Sequence, residues 1–280
     1  MRFDTLTIVG VGLLGGSIGL AARARGVARR VIGVGRDRAK LDAAKAAGVI
    51  HDAAGSLAAG VREADLVVFC TPVDRIAGQV LEAAPHYRPD TTLTDVGSTK
   101  TNIVNALTGN LPPGVTFVGS HPMAGSEKTG AEFARADLFE NRVAVVTPTL
   151  ASPPLAVNSL EQFWRGLGSR VIRMSPEEHD RAVAVTSHVP HAVAAALAGS
   201  LPTDLFPLAA TGFRDTTRIA AGDPELWAAI FRANRPAVLT GLGRFADRLD
   251  EFRALLEADD GPGLLRWLGE GKQVRDALGS

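Results

Sequence analysis

Over the first 175 residues, short apolar runs alternate with segments whose apolar positions recur every three to four residues. The runs at 5–9, 30–34, 66–70, 91–95, 115–120, 142–147 and 170–174 read as buried strands. Segments 14–25, 38–47, 76–84, 99–107 and 155–167 carry helical spacing. Thr71-Pro72, Pro148 and Pro153-Pro154 punctuate them. Strands alternating with helices at this interval predict an α/β domain, a doubly wound, mainly parallel sheet covered on both faces. After about Pro176 the β-branched runs stop. Ala-rich helical patterns follow at 177–189, 191–200, around Arg218, and at 225–244, 248–257 and 263–278. The pattern therefore predicts a Rossmann-type domain over residues 1–175 and an all-α domain over 176–280. The wide apolar stripes of the second half predict a face buried against a second copy, a homodimer through the helical domain.

Composition changes this picture little. At about 150 residues per domain, 280 residues give two domains and leave little chain for a third. Lys+Arg and Asp+Glu are both 30, so no excess positive charge is available for a nucleic-acid backbone, and no nucleic-acid partner is expected. The 46% apolar content suffices for a sizeable core. A single cysteine, Cys70, excludes an intramolecular disulfide and a cysteine-based zinc site, and a reducing, cytoplasmic location is the expectation. Residues 5–22 hold no charge and approach membrane-spanning length. Gly10, Gly12, Gly15, Gly16 and Gly19 fall inside them, a density that suits a strand, a tight turn and a helix start better than a membrane helix. No later stretch reads as long and apolar enough to span, and no membrane association is expected.

Gly10-Val11-Gly12-Leu13-Leu14-Gly15 has the spacing GxGxxG. Alone it is a weak signal. Here it follows a predicted strand and opens a predicted helix, as a dinucleotide fingerprint requires. The first glycine allows the turn, the second lets backbone approach a pyrophosphate, and the third permits close helix–strand packing. Gly10, Gly12, Leu13, Leu14 and Gly15 are thus candidate cofactor-binding residues. At the end of the second strand, where a carboxylate would read the ribose of NAD, stands Gly35-Arg36-Asp37. Gly35 leaves that place empty and Arg36 suits a 2′-phosphate, which favours NADP over NAD. Asp37, one residue on, is the counter-argument.

In an open α/β sheet, ligands bind beyond the carboxyl ends of the strands. Three segments are predicted there: Cys70-Thr71-Pro72, with Thr71 and Pro72 beside the cofactor; Asp95-Val96-Gly97-Ser98-Thr99-Lys100; and Ser120-His121-Pro122-Met123-Ala124-Gly125-Ser126-Glu127. Of six histidines, only His121 directly follows a predicted core strand, where a base can reach a substrate lying over a nicotinamide. Unperturbed, it would titrate near about 6.5. Ser187-His188-Val189-Pro190-His191 places two histidines near one helix face, without the further ligands a metal would need, so no metal is expected. In Gly212-Phe213-Arg214-Asp215-Thr216-Thr217-Arg218, a helix would set Arg214 and Arg218 one turn apart, two forks suited to carboxylates. The plainer reading is a surface ion pair between Asp215 and Arg218.

Taken together and in order, these motifs closely resemble the prephenate/arogenate dehydrogenases of tyrosine biosynthesis, from about residue 5 to 231. The resemblance implies oxidative decarboxylation of prephenate or arogenate by hydride transfer to NADP or NAD. It implies that His121 takes the proton of the ring hydroxyl and that Ser98 orients it. It further implies that Arg218 holds a substrate carboxylate, and that Ser187, His188, His191 and Arg214 line the site. Two other readings remain at this point. One is a dehydrogenase or reductase of the β-hydroxyacid dehydrogenase or pyrroline-carboxylate reductase type. The other is a non-catalytic NADP-sensing protein.

Overall fold

Alternating Val, Ile and Leu between polar turns fold as a parallel sheet whose strands are Phe3–Val9 (β1), Ala28–Val34 (β2), Asp52–Ala53 (β3), Leu66–Phe69 (β4), Thr92–Asp95 (β5) and Thr116–Phe117 (β6). The structure, a computed structural model, describes residues 2–125, 128 and 130–279. Ser126 and Glu127 of the third motif therefore lie outside the described residues. Strand order is β3-β2-β1-β4-β5-β6 with every pairing parallel, so the order reverses between β1 and β4. The helices between them are Leu13–Ala24 (α1), Arg38–Ala46 (α2), Leu57–Val61 (α3), Val73–Glu82 (α4) and Thr101–Leu107 (α5). Leu6, Ile8, Leu66, Val68 and Leu93 are fully buried, which is why these strands read as continuous apolar runs.

The predicted strand over 115–120 is two strands. After β6 the chain leaves the parallel sheet, and Gly119–Pro122 (β7) pairs antiparallel with Val143–Thr147 (β8), which pairs in parallel with Arg170–Arg173 (β9). His121 therefore sits within a strand, opposite Val145, rather than just after one. Pro154–Gly166 (α6) covers this small sheet and buries Phe163 and Trp164.

Pro176–Val183 (α7), a π turn at Ala184–His188 and Val189–Gly199 (α8) run on without interruption, where two helices were expected to part before His191. Pro190 lies in the first turn after the π turn, where a missing N–H costs least. By length and composition this 24-residue run could cross a membrane, contrary to the expectation from the sequence. Its buried positions mix His179, Asp180, His188 and His191 with Val183, Ala184, Val189 and Ala194. Thr211–Thr217 (α9), a 3₁₀ turn at Arg218–Ala221 and Pro224–Ala233 (α10) follow. The helix expected over 225–244 breaks at Asn234. Arg235–Glu257 (α11) then absorbs the predicted gap before residue 248, and Gly261–Ala277 (α12) closes the chain. By packing, the chain forms two compact units, residues 1–234 and 235–280.

Candidate active site

At the carboxyl end of β1 the chain turns at Gly10, whose φ of +96° favours glycine and whose Cβ, if present, would lie 3.0 Å from the Cys70 backbone. A Cβ on Gly15 would come within 2.1 Å of the Gly10 carbonyl oxygen, so α1 can pack this close only with glycine there. Gly12 differs: a Cβ there meets nothing within 4 Å. Gly12 caps α1 without a side-chain hydrogen bond and no acid stands in the first turn, so the N-terminal amides starting at Leu13 and Leu14 are open to an anion. These residues fit a dinucleotide pyrophosphate. Thr71 and Pro72 flank the turn: Thr71 Oγ1 donates to Gln79 Oε1 at 2.6 Å, and Pro72 caps α4. Burial and Asp95 push the neighbouring Cys70 thiol up, so it stays protonated.

Beyond β2, the Asp37 carboxylate caps α2 by accepting from the Lys40 amide at 3.1 Å. One of its two oxygens is thus engaged at the start of the helix. Arg36 is exposed and forms no ion pair among the described residues.

Asp95, at the end of β5, organises the next two segments. Its carboxylate accepts from the amides of Gly97 (2.8 Å) and Ser120 (3.2 Å) and from Lys100 Nζ, which also donates to the Ser120 carbonyl at 2.9 Å. The side chains of Asp95 and Lys100 are both fully buried. Burial pushes the Lys100 pKa down, against the pull of Asp95 and Asp180. Ser120 Oγ donates to the Asp95 carbonyl at 2.7 Å and lies 2.8 Å from Thr94 Oγ1. This lattice brings the Ser98 loop and His121 to one end of the sheet. Ser98 is half-buried, and its hydroxyl makes no hydrogen bond among the described residues. The buried Thr99 hydroxyl is likewise unpartnered there.

His121 Nδ1 lies 2.9 Å from His179 Nε2, and His179 Nδ1 lies 2.8 Å from Asp180 Oδ1. Asp180 also accepts from the amides of Lys100 (2.8 Å) and Thr101 (2.9 Å), capping α5 from α7. Burial alone would raise the Asp180 pKa; the hydrogen bonds from His179, Thr101 and Lys100 outweigh it and hold the carboxylate below its usual range. Burial first, then repulsion by Lys100 and, when they carry a second proton, by His179 and His188, holds His121 well below 6.5, so the ring is neutral at neutral pH.

At the end of α10, Asn234 Nδ2 donates to the Asp180 carbonyl (2.8 Å) and faces His188 Nδ1 on the π turn (3.1 Å). A carbonyl only accepts, which fixes the amide orientation and makes His188 Nδ1 the acceptor. Burial lowers the His188 pKa to about 4, so the ring is neutral with its proton on Nε2. That Nε2 is buried and unpartnered among the described residues. Ser187 is half-buried beside it. His191 is buried on α8 and stacks on Trp227 with centroids 3.5 Å apart. Gly222 is required by this stack: a Cβ there would lie 2.5 Å from Trp227 Nε1.

Arg214 and Arg218 do not share one regular helix turn: Arg218 starts the 3₁₀ turn that ends α9. Both are exposed and neither pairs with a carboxylate among the described residues, so the Asp215–Arg218 ion pair does not form. Arg214 Nε donates to the Ala209 carbonyl at 3.0 Å. The sequence reading missed His179, Asp180, Trp227 and Asn234.

A glycine cradle at the switch point of a six-stranded parallel sheet, followed in the chain by an all-helical region, is the build of an NAD(P)-dependent oxidoreductase. Residues 18–173 match the family model described as prephenate dehydrogenase, nucleotide-binding domain, and residues 175–270 match prephenate dehydrogenase, dimerization domain. The chain belongs to the prephenate dehydrogenase family. It is 38% identical to prephenate dehydrogenase of Bacillus subtilis over 98% of this chain and 76% of that one. It is 34% identical to cyclohexadienyl dehydrogenase of Zymomonas mobilis over 99% and 96%. The crystal structure of Aquifex aeolicus prephenate dehydrogenase in complex with hydroxyphenyl propionate and NAD+ superposes with a TM-score of 0.92 at 31% identity, covering 99% of both chains.

Proposed function

We propose that this chain oxidises and decarboxylates a cyclohexadienol dicarboxylate, prephenate or arogenate, with NADP+ preferred over NAD+. The observation that carries the reading is a neutral histidine, His121, held by β7 and His179 at the sheet end that also bears the glycine cradle. His121 takes the proton from the ring hydroxyl, and Ser98 orients that hydroxyl. NAD(P)+ held at the Gly10–Gly15 turn would supply the acceptor for the hydride of the hydroxyl-bearing carbon. The developing ketone draws electrons from the bond to the ring carboxylate, which leaves as carbon dioxide while the ring aromatises. Arg218 and Arg214 anchor a substrate carboxylate. His188 offers Nε2–H to a substrate oxygen, with Ser187 and His191 lining the same wall. We assign cofactor binding to residues 1–175 and the substrate wall and dimerisation to 176–280. A second copy covers apolar residues such as Leu239, Leu249, Leu265 and Leu268, which stand exposed on α11 and α12.

Absorbance at 340 nm, followed with each substrate and each cofactor, tests the reading. Reduced cofactor is expected with prephenate, arogenate or both; none with either overturns it. The NADP preference rests on Arg36, with Asp37 occupied at the α2 cap. Arg36→Ala is expected to weaken NADP+ roughly 10- to 100-fold, the value of a hydrogen bond to a charged group, and NAD+ very little. Equal losses for the two cofactors would remove Arg36 from 2′-phosphate recognition.

A further inference from the structure

We propose that His179 and Asp180 are positioning residues that fix His121 as the tautomer with a bare Nε2 and share the positive charge that His121 acquires. The proposal rests on the reading of His121 as the base and deepens it. It follows from counting protons along three groups. A carboxylate only accepts, so Asp180 Oδ1 makes His179 Nδ1 the donor across 2.8 Å. With a single ring proton, placed on Nδ1, His179 has a bare Nε2. The group 2.9 Å away is His121 Nδ1, which must donate. A neutral His121 with its proton on Nδ1 has its lone pair on Nε2, the nitrogen turned away from His179. The base is thus chosen by a carboxylate two groups behind it.

Burial makes this ordering effective. His179 is fully buried and Asp180 is 5% exposed, so water does not offer either ring nitrogen of His179 a substitute partner. Asp180 is itself held by the Lys100 and Thr101 amides at the start of α5, which fixes its oxygens. The ionisable groups facing His121 are His179 from α7, Lys100 from the start of α5 and His188 from the π turn. Among the described residues none of these is a carboxylate, so there the charge that reaches His121 is met through His179. When the substrate hydroxyl gives its proton to Nε2, the imidazolium keeps Nδ1–H on His179 Nε2. The Asp180 carboxylate balances the charge through the His179 ring. No further proton acceptor is needed.

Two measurements test this. In the wild-type protein at about pH 8, ¹H–¹⁵N correlations of the histidine rings report which nitrogen is protonated. His121 and His179 are both expected as Nδ1–H, and His121 protonated on Nε2 overturns the proposal whatever the enzyme's substrate. Kinetics supply the second. His179→Leu is expected to lower kcat by at least about 10²-fold, since general-base help is worth 10²–10⁴-fold and depends on the tautomer. KM and cofactor affinity should be little changed. His179→Gln, whose side-chain oxygen can accept from Nδ1–H, should recover part of kcat. A purely structural role predicts instead a lower Tm with no rescue in kcat, and that result also overturns the proposal. If His179→Leu keeps kcat while His121→Asn loses it, the positioning role fails and the enzymatic reading stands. If neither substrate turns over while the tautomers are as expected, the enzymatic reading fails and the proton order stands.

Discussion

His121→Asn is expected to lower turnover by about 10²–10⁴-fold, or about 3–5 kcal/mol of transition-state stabilisation, with NAD(P) affinity unchanged. Asparagine keeps a donor near the position of Nδ1, so the contact to His179 can survive while the basic nitrogen is lost. The glycine cradle lies on another segment and is untouched. Ordinary turnover at 340 nm would dismiss His121 as the base. The pH profile carries the same claim. An isolated histidine would give an acid limb near about 6.5. Here burial, with repulsion by Lys100 and by His179 and His188 when those rings are protonated, lowers the pKa well below that value. A base works when deprotonated, so with hydride transfer limiting, activity should hold through pH 6.5 and fall only at lower pH. His121→Asn should abolish that limb. A wild-type limb at or above 6.5 would contradict the environment described.

The first βαβ unit was legible because two signals coincide there: a fully apolar strand and a glycine spacing that only a close turn explains. The same holds for the sequence motifs at 95–100 and 120–121, which are local. Most of the missed features are tertiary. Residues 115–120 read as one strand because nothing in their apolar pattern marks the exchange of sheets between Phe117 and Gly119. Only the partner does: a Cβ on Gly119 would lie 2.5 Å from Thr147 Oγ1 on β8. His179 and Asp180 stand in Pro-Glu-Glu-His-Asp-Arg, an acidic first turn with a capping box from Ser175 and Glu178. That composition reads as a solvated helix start, and the α5 amides that bury its far face come from residues about 80 positions away. Pro190 misled in the opposite direction, since a π turn before it lets the helix run on. The break at Asn234 did have a local signal: Pro236 stands in the first turn of α11.

Lys100→Met is expected to destabilise the protein by about 3–5 kcal/mol, because it leaves the other member of a buried ion pair without its counter-charge. Methionine keeps most of the stem volume, so the loss is not one of packing. The Asp95 carboxylate, fully buried, keeps only the Gly97 and Ser120 amides, and the Ser120 carbonyl loses its donor. Urea unfolding reads the loss as a lower midpoint at unchanged slope. Neutralising the acid as well, in Lys100→Met with Asp95→Asn, should recover much of it, because the stranded charge is the dominant cost. A loss below about 1 kcal/mol in the single variant would show that the pair contributes little net charge interaction. The variant also bears on catalysis. Lys100 is one of the charges that depress His121, so removing it should move the acid limb of the pH profile upward. A limb that stays in place while stability falls would mean that Lys100 only holds the Ser120–His121 strand. A limb that rises would mean that one buried cation both fixes that strand and keeps its histidine neutral.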